Sequence, residues 1–330
     1  MPKTPSERTT RARLHGPTMG TRWSVLCDVP PEFDQAALQR ELAASVEEVD
    51  RQMSPWKPDS DLLRLNRASV DAWVALPREI MGVLERALDV ARESGGAFDP
   101  TVGALVDAWG FGAARDVPDA AAIRAAQRPA WRTLELDPAT GRARKHAALQ
   151  IDLCGIAKGY AVDRMVQVLR RHGVAHALAA LDGELRALGS QADGTPWAVA
   201  LESPDAQRRA AHGVLELADI AVATSGDYRH FVQLGAQRLA HTMDPLRAAP
   251  VHNGVASVTV LAPDCTSADA WATALLVMGP EQGLALARAL GLEALWLLRR
   301  GDALMEVGVG RFDAGPAVTP AASPTAAPPA

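Results

Sequence analysis

Cysteine is scarce. The chain has 330 residues and three cysteines, Cys27, Cys154 and Cys265, widely spaced. No Cys-x-x-Cys pair occurs, so neither a zinc-ribbon site nor a disulfide framework is indicated. Long apolar runs are also missing. No stretch reaches the roughly 18 residues that a membrane-spanning helix needs, so no transmembrane segment is expected. Excess positive charge is absent. The formal net charge is −5, whereas nucleic-acid binders present a basic face. The first residues, "MPKTPSERTTRARLHG", lack the apolar centre of a secretory signal. Read as written, the chain is cytoplasmic; a misassigned start would leave a periplasmic or membrane-associated location open. Aromatics are few, at 5% of residues, which makes each one near a glycine cluster worth tracing.

What is present is ordinary globular material: 48% hydrophobic and 22% charged residues. Residues 1–14 read as a flexible basic arm, 15–312 as one body, and 313–330 as a disordered Pro/Ala-rich tail. Phe33, Leu38, Leu42, Val46, Val49 and Met53 step mostly by three or four, the stripe of an amphipathic helix, with Pro31 suited to its first turn. "PREIMGVLERALDVARESGG" repeats that design. A helix from about Tyr160 to Arg171 stops at Gly173. "GTRWSVLCDV", "HALAALDGELRALG", "WAVALESP", "GVLELADIAVATSG" and "VASVTVLAP" read as strands, and "EALWLLRRGDALMEVGVG" as a closing hairpin turned at Arg300-Gly301-Asp302. Helices interleaved with runs of antiparallel strands predict an α+β fold rather than βαβ alternation.

Several short segments carry oxygen, charge or flat surface. In "LQIDLCGIAKGYAVD" a glycine-containing loop opens a helix with Lys158 in its first turn. A cation is unfavourable there unless an anion lies nearby, and free N–H groups at that end favour phosphate. The bland alternative is a solvated surface lysine. In "TSADAWATALLVMG" Asp269 and Thr273 are four apart and share a helix face. Their hard oxygens suit Mg²⁺ rather than zinc, unless Ser267 caps the helix and Asp269 only complements its dipole. "AVATSGDYRHF" presents the Thr224 and Ser225 hydroxyls to a ligand at a strand end, which makes them candidate cofactor-binding groups, unless it is an ordinary strand-to-loop turn. "AHTMDP" pairs His241, a candidate general base, with Asp244. In "SGGAFDPTVGALVDAWGFG", Phe98, Trp109 and Phe111 are either stacking surfaces or core. Met19 and Trp56 are open to the same two readings.

Taken together and in order, "GPTMGTRWSV", "MSPWKPDSDLLRLN", "GGAFDPTVGALVDAWGFG", "IDLCGIAKGYAVD", "DGELRALG", "AVATSGDYRHF", "HTMDP" and "ASVTVLAPDCTSADAWATALLVMG" resemble the FAD:protein FMN transferase family, of ApbE type. The resemblance implies an ApbE-like, T-fold-like body of antiparallel sheets flanked by helices, with FAD as substrate in a cleft between lobes. It implies a Mg²⁺-dependent transfer of FMN from FAD to a threonine or serine hydroxyl of a flavin-accepting redox protein, with release of AMP. An FAD pyrophosphatase giving FMN and AMP, or an FAD-binding protein without turnover, are the alternatives. By position, Met19, Trp56, Ala97, Phe98, Asp99, Asp152, Lys158 and Met243 would meet FAD. Asp269, Thr273 and the Gly155 carbonyl would hold Mg²⁺. His241 and Asp244 would stand near the reacting phosphate. Three departures stand out: Cys154 and Asp182 where glycine is usual, and Arg247-Ala248 for Thr-Gly.

Overall fold

Near-continuous apolar strands need cover on both faces, and the fold supplies it. The computed structural model describes residues 9–112, 117–126, 130–205, 210–228, 231–234, 237–301, 303–313 and 319–320. Its centre is an eight-stranded sheet. The strands are β1 (Thr10–Thr18), β2 (Thr21–Val29), β3 (Ala177–Leu181), β4 (Glu184–Leu188), β5 (Ala221–Gly226), β6 (Val255–Ala262), β7 (Glu293–Arg300) and β8 (Ala303–Val309). They lie side by side in chain order, and every neighbouring pair is antiparallel.

The helices are α1 (Gln35–Met53), α2 (Asp61–Arg67), α3 (Arg78–Glu93), α4 (Gly103–Ala108), α5 (Ala120–Ala125), α6 (Ala157–Arg171) and α7 (Cys265–Leu290). All but α7 belong to the long insertion between β2 and β3. Successive strand residues point to opposite faces, and the two faces feed different cores. Ala294, Trp296 and Leu298 of β7 pack with the helices. Leu295 and Leu297 pack with Trp197, Val199, Leu215 and Leu217 of the hairpin 197–217. This two-sided burial explains why "VASVTVLA" in β6 is buried at every position.

Several boundaries differ from the sequence-based expectation. β1 begins at Thr10, inside the stretch assigned to a flexible arm, because Ala12 and Leu14 alternate inward and the strand pairs with all of β2. Residues 1–8 and most of the tail lie outside the described residues; Thr319 and Pro320 pair with Val214 and Gly213. Helix α1 starts at Gln35 with Asp34 accepting from the Ala37 N–H, so Pro31 precedes it. Helix α6 starts at Ala157, before Tyr160. The break between the two consecutive helical stretches falls at Gly279, whose φ is +71° ahead of Pro280. Among the described residues no helix is long and apolar enough to cross a membrane.

Candidate functional site

The N-termini of α6 and α7 meet beneath the ends of β4 and β5. Their approach depends on Gly159: a Cβ there would press on the Cys265 carbonyl and sit 2.8 Å from the Asp269 Cβ. Each helix caps the other. Asp269 of α7 accepts the Gly159 N–H of α6 at 2.9 Å. Asp163 of α6 accepts the Cys265 N–H at 2.9 Å, the Thr266 N–H at 2.8 Å and the Thr266 hydroxyl at 2.6 Å, and it pairs with Arg186. The N-cap of α7 is Asp264, which accepts the Ser267 N–H; Ser267 itself accepts from Arg86. The cap is therefore Asp264, three residues before Ser267, the residue that the alternative reading made the cap.

Above this junction lies a cleft of about 2300 Å³, well beyond the roughly 300–1,000 Å³ of a typical small-ligand pocket. Its wall includes Met19, Trp56, Ala97, Phe98, Asp99, Asp152, Gly155, Lys158, Thr224, Ser225, His241, Met243, Asp269 and Thr273. These come from distant parts of the chain, and the helical insertion and the sheet face each other across the space. Trp56 stands 61% exposed at this wall, whereas Phe98 is buried beneath it. Met19 and Gly20 both have positive φ in the two-residue turn joining β1 to β2, the type I′ pattern. A methionine is an unusual choice in that region, and this one lies on the cleft wall.

The carboxylates divide by task. Asp99 accepts the Thr101 N–H at 2.7 Å and its hydroxyl at 2.6 Å, and the Ala130 N–H at 3.2 Å. It thereby fixes the loop that presents Ala97 and Phe98, and burial raises its carboxyl against those bonds. Asp152 accepts the Cys154 N–H at 2.7 Å, and desolvation in the cleft wall raises it too. Asp244 does not line the cleft. It accepts from Leu246 N–H at 2.9 Å, Arg247 N–H at 3.0 Å and Arg247 Nη1 at 2.6 Å. Its carboxylate anchors the turn that follows His241 rather than facing the space. That turn is held from below by an apolar group of Leu105, Met243 and Ala248, with Trp109 donating to the Ala248 carbonyl at 3.1 Å. Trp109 is thus support, while Phe111 reaches the cleft.

Lys158 is not waiting unpaired. Its Nζ lies 2.7 Å from Glu184 Oε1 and 3.6 Å from Asp182 Oδ2. Burial pulls the ammonium down, but Glu184, Asp269 and Asp182 outweigh it and raise the group, so it stays charged. Burial pushes the carboxyls of Glu184 and Asp269 up, with Lys158 opposing. Glu184 is the site residue that sequence reasoning passed over. Its signal was an acid at an inward position of an apolar hairpin, and its Oε2 is buried without a partner. The expected supply of free helix N–H groups is also smaller than predicted: Ala157 N–H goes to Leu153 O and Gly159 N–H to Asp269.

A hard divalent cation fits the donors present. Thr273 Oγ1 shares a hydroxyl contact with Ser225 Oγ at 3.1 Å. A Cβ on Gly155 would sit 3.1 Å from Thr273 Oγ1 and 3.3 Å from Phe98 Cε2, so a side chain there would crowd the Thr273 hydroxyl. Carboxylate, carbonyl and hydroxyl oxygens are what Mg²⁺ takes, usually alongside substrate phosphates. Among the described residues no group of three or more His, Cys, Asp or Glu side chains is placed to hold a metal, which leaves out a zinc-type cage. Two of the departures have a backbone signature: Asp182 and Ala248 have φ of +55° and +53°, where glycine is at ease. Cys154 is exposed.

Sheet, mutually capping helices and oxygen-lined cleft define a class: an α+β protein with one large cleft, walled by the sheet on one side and the helical insertion on the other. The family profile described as "ApbE family" matches residues 19–296. A "FAD:protein FMN transferase" of Vibrio cholerae is 35% identical over 92% of each chain, and one of Klebsiella pneumoniae is 32% identical over 90% of this chain and 87% of that one. The structure titled "Flavin Transferase ApbE from Vibrio cholerae" superposes with a TM-score of 0.84, covering 92% of this chain and 99% of the other at 35% identity. An apo flavinyl transferase ApbE of Pseudomonas stutzeri gives 0.83 at 34% identity, with 92% and 96% covered. The chain belongs to the ApbE family.

Proposed function

We propose that this protein transfers FMN from FAD to a threonine or serine hydroxyl of a target flavoprotein, forming a phosphoester and releasing AMP. The observation that carries the reading is the meeting of Asp269, Thr273, Gly155 and Lys158 in one cleft of an ApbE-family chain. Asp269, Thr273 and the Gly155 carbonyl would hold Mg²⁺, which when bound supplies Lewis-acid neutralisation of pyrophosphate oxygens. The protein's own share is positioning and charge. Trp56 offers an exposed flat surface to a ring system, and Phe98 backs the wall from beneath. Lys158 places a fixed positive charge where charge builds on the phosphate being displaced. His241 accepts the acceptor hydroxyl's proton. The hydroxyl oxygen bonds to the FMN-side phosphorus, the bond from that phosphorus to the bridging oxygen breaks, and AMP leaves with the bridging oxygen. Asp244 serves indirectly, by holding the turn on which His241 stands.

The test is incubation with FAD, Mg²⁺ and a flavin-accepting redox protein, followed by denaturing electrophoresis. Flavin fluorescence should stay with the acceptor after denaturation, and should fall about a hundredfold with Asp269→Ala. Free FMN and AMP without labelled acceptor would replace this reading with a hydrolytic one.

A further inference from the structure

The turn between β3 and β4 is built from Asp182 and Gly183, with Leu181 facing Glu184. Asp182 has φ of +55°, whereas Gly183 is not among the residues with positive φ. A two-residue hairpin turn with only its first central residue in the left-handed region follows the II′ pattern, which wants glycine first. The chain has its glycine second and a charged residue in the strained place. Strain of this kind persists where the surroundings determine it. Those surroundings include Lys158, whose Nζ lies 3.6 Å from Asp182 Oδ2.

That ammonium already has a partner. Glu184 Oε1 is 2.7 Å away, its side chain is 3% exposed, and its second oxygen is buried with no partner. Asp269 adds to the same field. One lysine thus stands among three carboxylates, two of them from a single tight turn. The extra charge faces the space where, on the proposed reading, an anionic pyrophosphate must lie. Unit charges a few ångströms apart in a protein wall interact strongly enough to change affinity by an order of magnitude or more.

We propose that Asp182 makes FAD binding conditional on a divalent cation: paired with Lys158, it leaves the cleft wall net negative, so the pyrophosphate binds well only when cation charge is added. The inference rests on the reading of the cleft as an FAD site, and it assigns Asp182 a specificity role without making it a cation ligand. The residue acts through Lys158 and is a positioning residue.

The experiment is FAD titration of the full-length protein by flavin fluorescence, once with Mg²⁺ and once with chelator, for wild type, Asp182→Asn and Asp182→Gly. Asn tolerates the left-handed backbone and keeps the shape; Gly removes charge and strain together. A thermal melt of each variant checks that both fold. The expected result is that the chelator-treated dissociation constant falls about tenfold in both variants, and the ratio of chelator to Mg²⁺ constants shrinks with it. An unchanged ratio in both variants overturns the proposal. Weaker binding in Mg²⁺ for Asp182→Asn also overturns it, because that is the mark of a lost cation ligand. Failure of the wild type to bind FAD even with Mg²⁺ overturns the functional reading itself, a result separable from the other two.

Discussion

Asp163 and Asp269 sit on adjacent helices, and each caps the helix that carries the other. Their surroundings differ. Asp163 is closed on every side, by two backbone N–H groups, the Thr266 hydroxyl and Arg186. Asp269 accepts Gly159 N–H and otherwise faces the cleft beside Thr273, Lys158 and Glu184. The same local problem, an exposed helix N-terminus, is solved twice on one helix pair. One solution is complete and structural. The other leaves burial, like charges and an orphaned Glu184 oxygen in place, a condition that marks functional sites more often than scaffolds.

The contrast predicts opposite costs. Asp163→Ala should lower stability by about 3–5 kcal/mol, because it strands Arg186 and the N-terminus of α7 away from water; chemical denaturation measures this. A loss below about 1 kcal/mol would break the comparison, since Asp163 would then be no more structural than its counterpart. Gly159→Ala should cost about 1–3 kcal/mol by forcing α6 from α7, and should weaken FAD binding at the same time, because the helix contact and the cleft floor are one structure. Fluorescence titration beside a denaturant melt shows whether the two losses move together.

A third carboxylate arrangement sharpens the scale from the weak end. His146 follows the strand pair of residues 134–137 and 142–145; its Nδ1 lies 2.6 Å from Asp71 and its Nε2 2.7 Å from Glu135. Asp71 and Glu135 raise its pKa. A raised folded value means the contribution is complete below the unfolded value near 6.5 and is lost as pH rises through the folded one. The melting temperature of His146→Gln should therefore fall below wild type by a small margin at about pH 6 and match it at about pH 9. A difference that grows with pH would contradict this.

Much of this was legible in the sequence, for reasons that mark what was not. Strand and helix types followed from periodicity, as in the β7–β8 hairpin; Asp302 of its expected turn lies outside the described residues. β1 was missed because Arg11, Arg13 and His15 mask an alternation that only Ala12 and Leu14 carry inward. The cleft residues were legible one by one through their chemistry and their order. Partnership was not. Nothing local in "DGELRALG" says that Glu184 meets Lys158 from another element, and nothing in "HTMDP" says that Asp244 turns toward Leu246 and Arg247 and away from the cleft. Gly159 fell just before the helix expected from about Tyr160, and only its closeness to Cys265 shows why no side chain fits there. Such pairings depend on how two helices cross, which a single sequence does not state.

The account turns on the division between the two aspartates. AMP release from FAD, with Mg²⁺ and acceptor, measured together with the melting temperature for Asp269→Asn and Asp163→Asn, tests it most directly. Asp269→Asn should lose AMP release while melting within a few degrees of wild type, since asparagine still accepts the Gly159 N–H. Asp163→Asn should melt lower and keep AMP release per folded molecule. Release at the wild-type rate from Asp269→Asn would contradict the account.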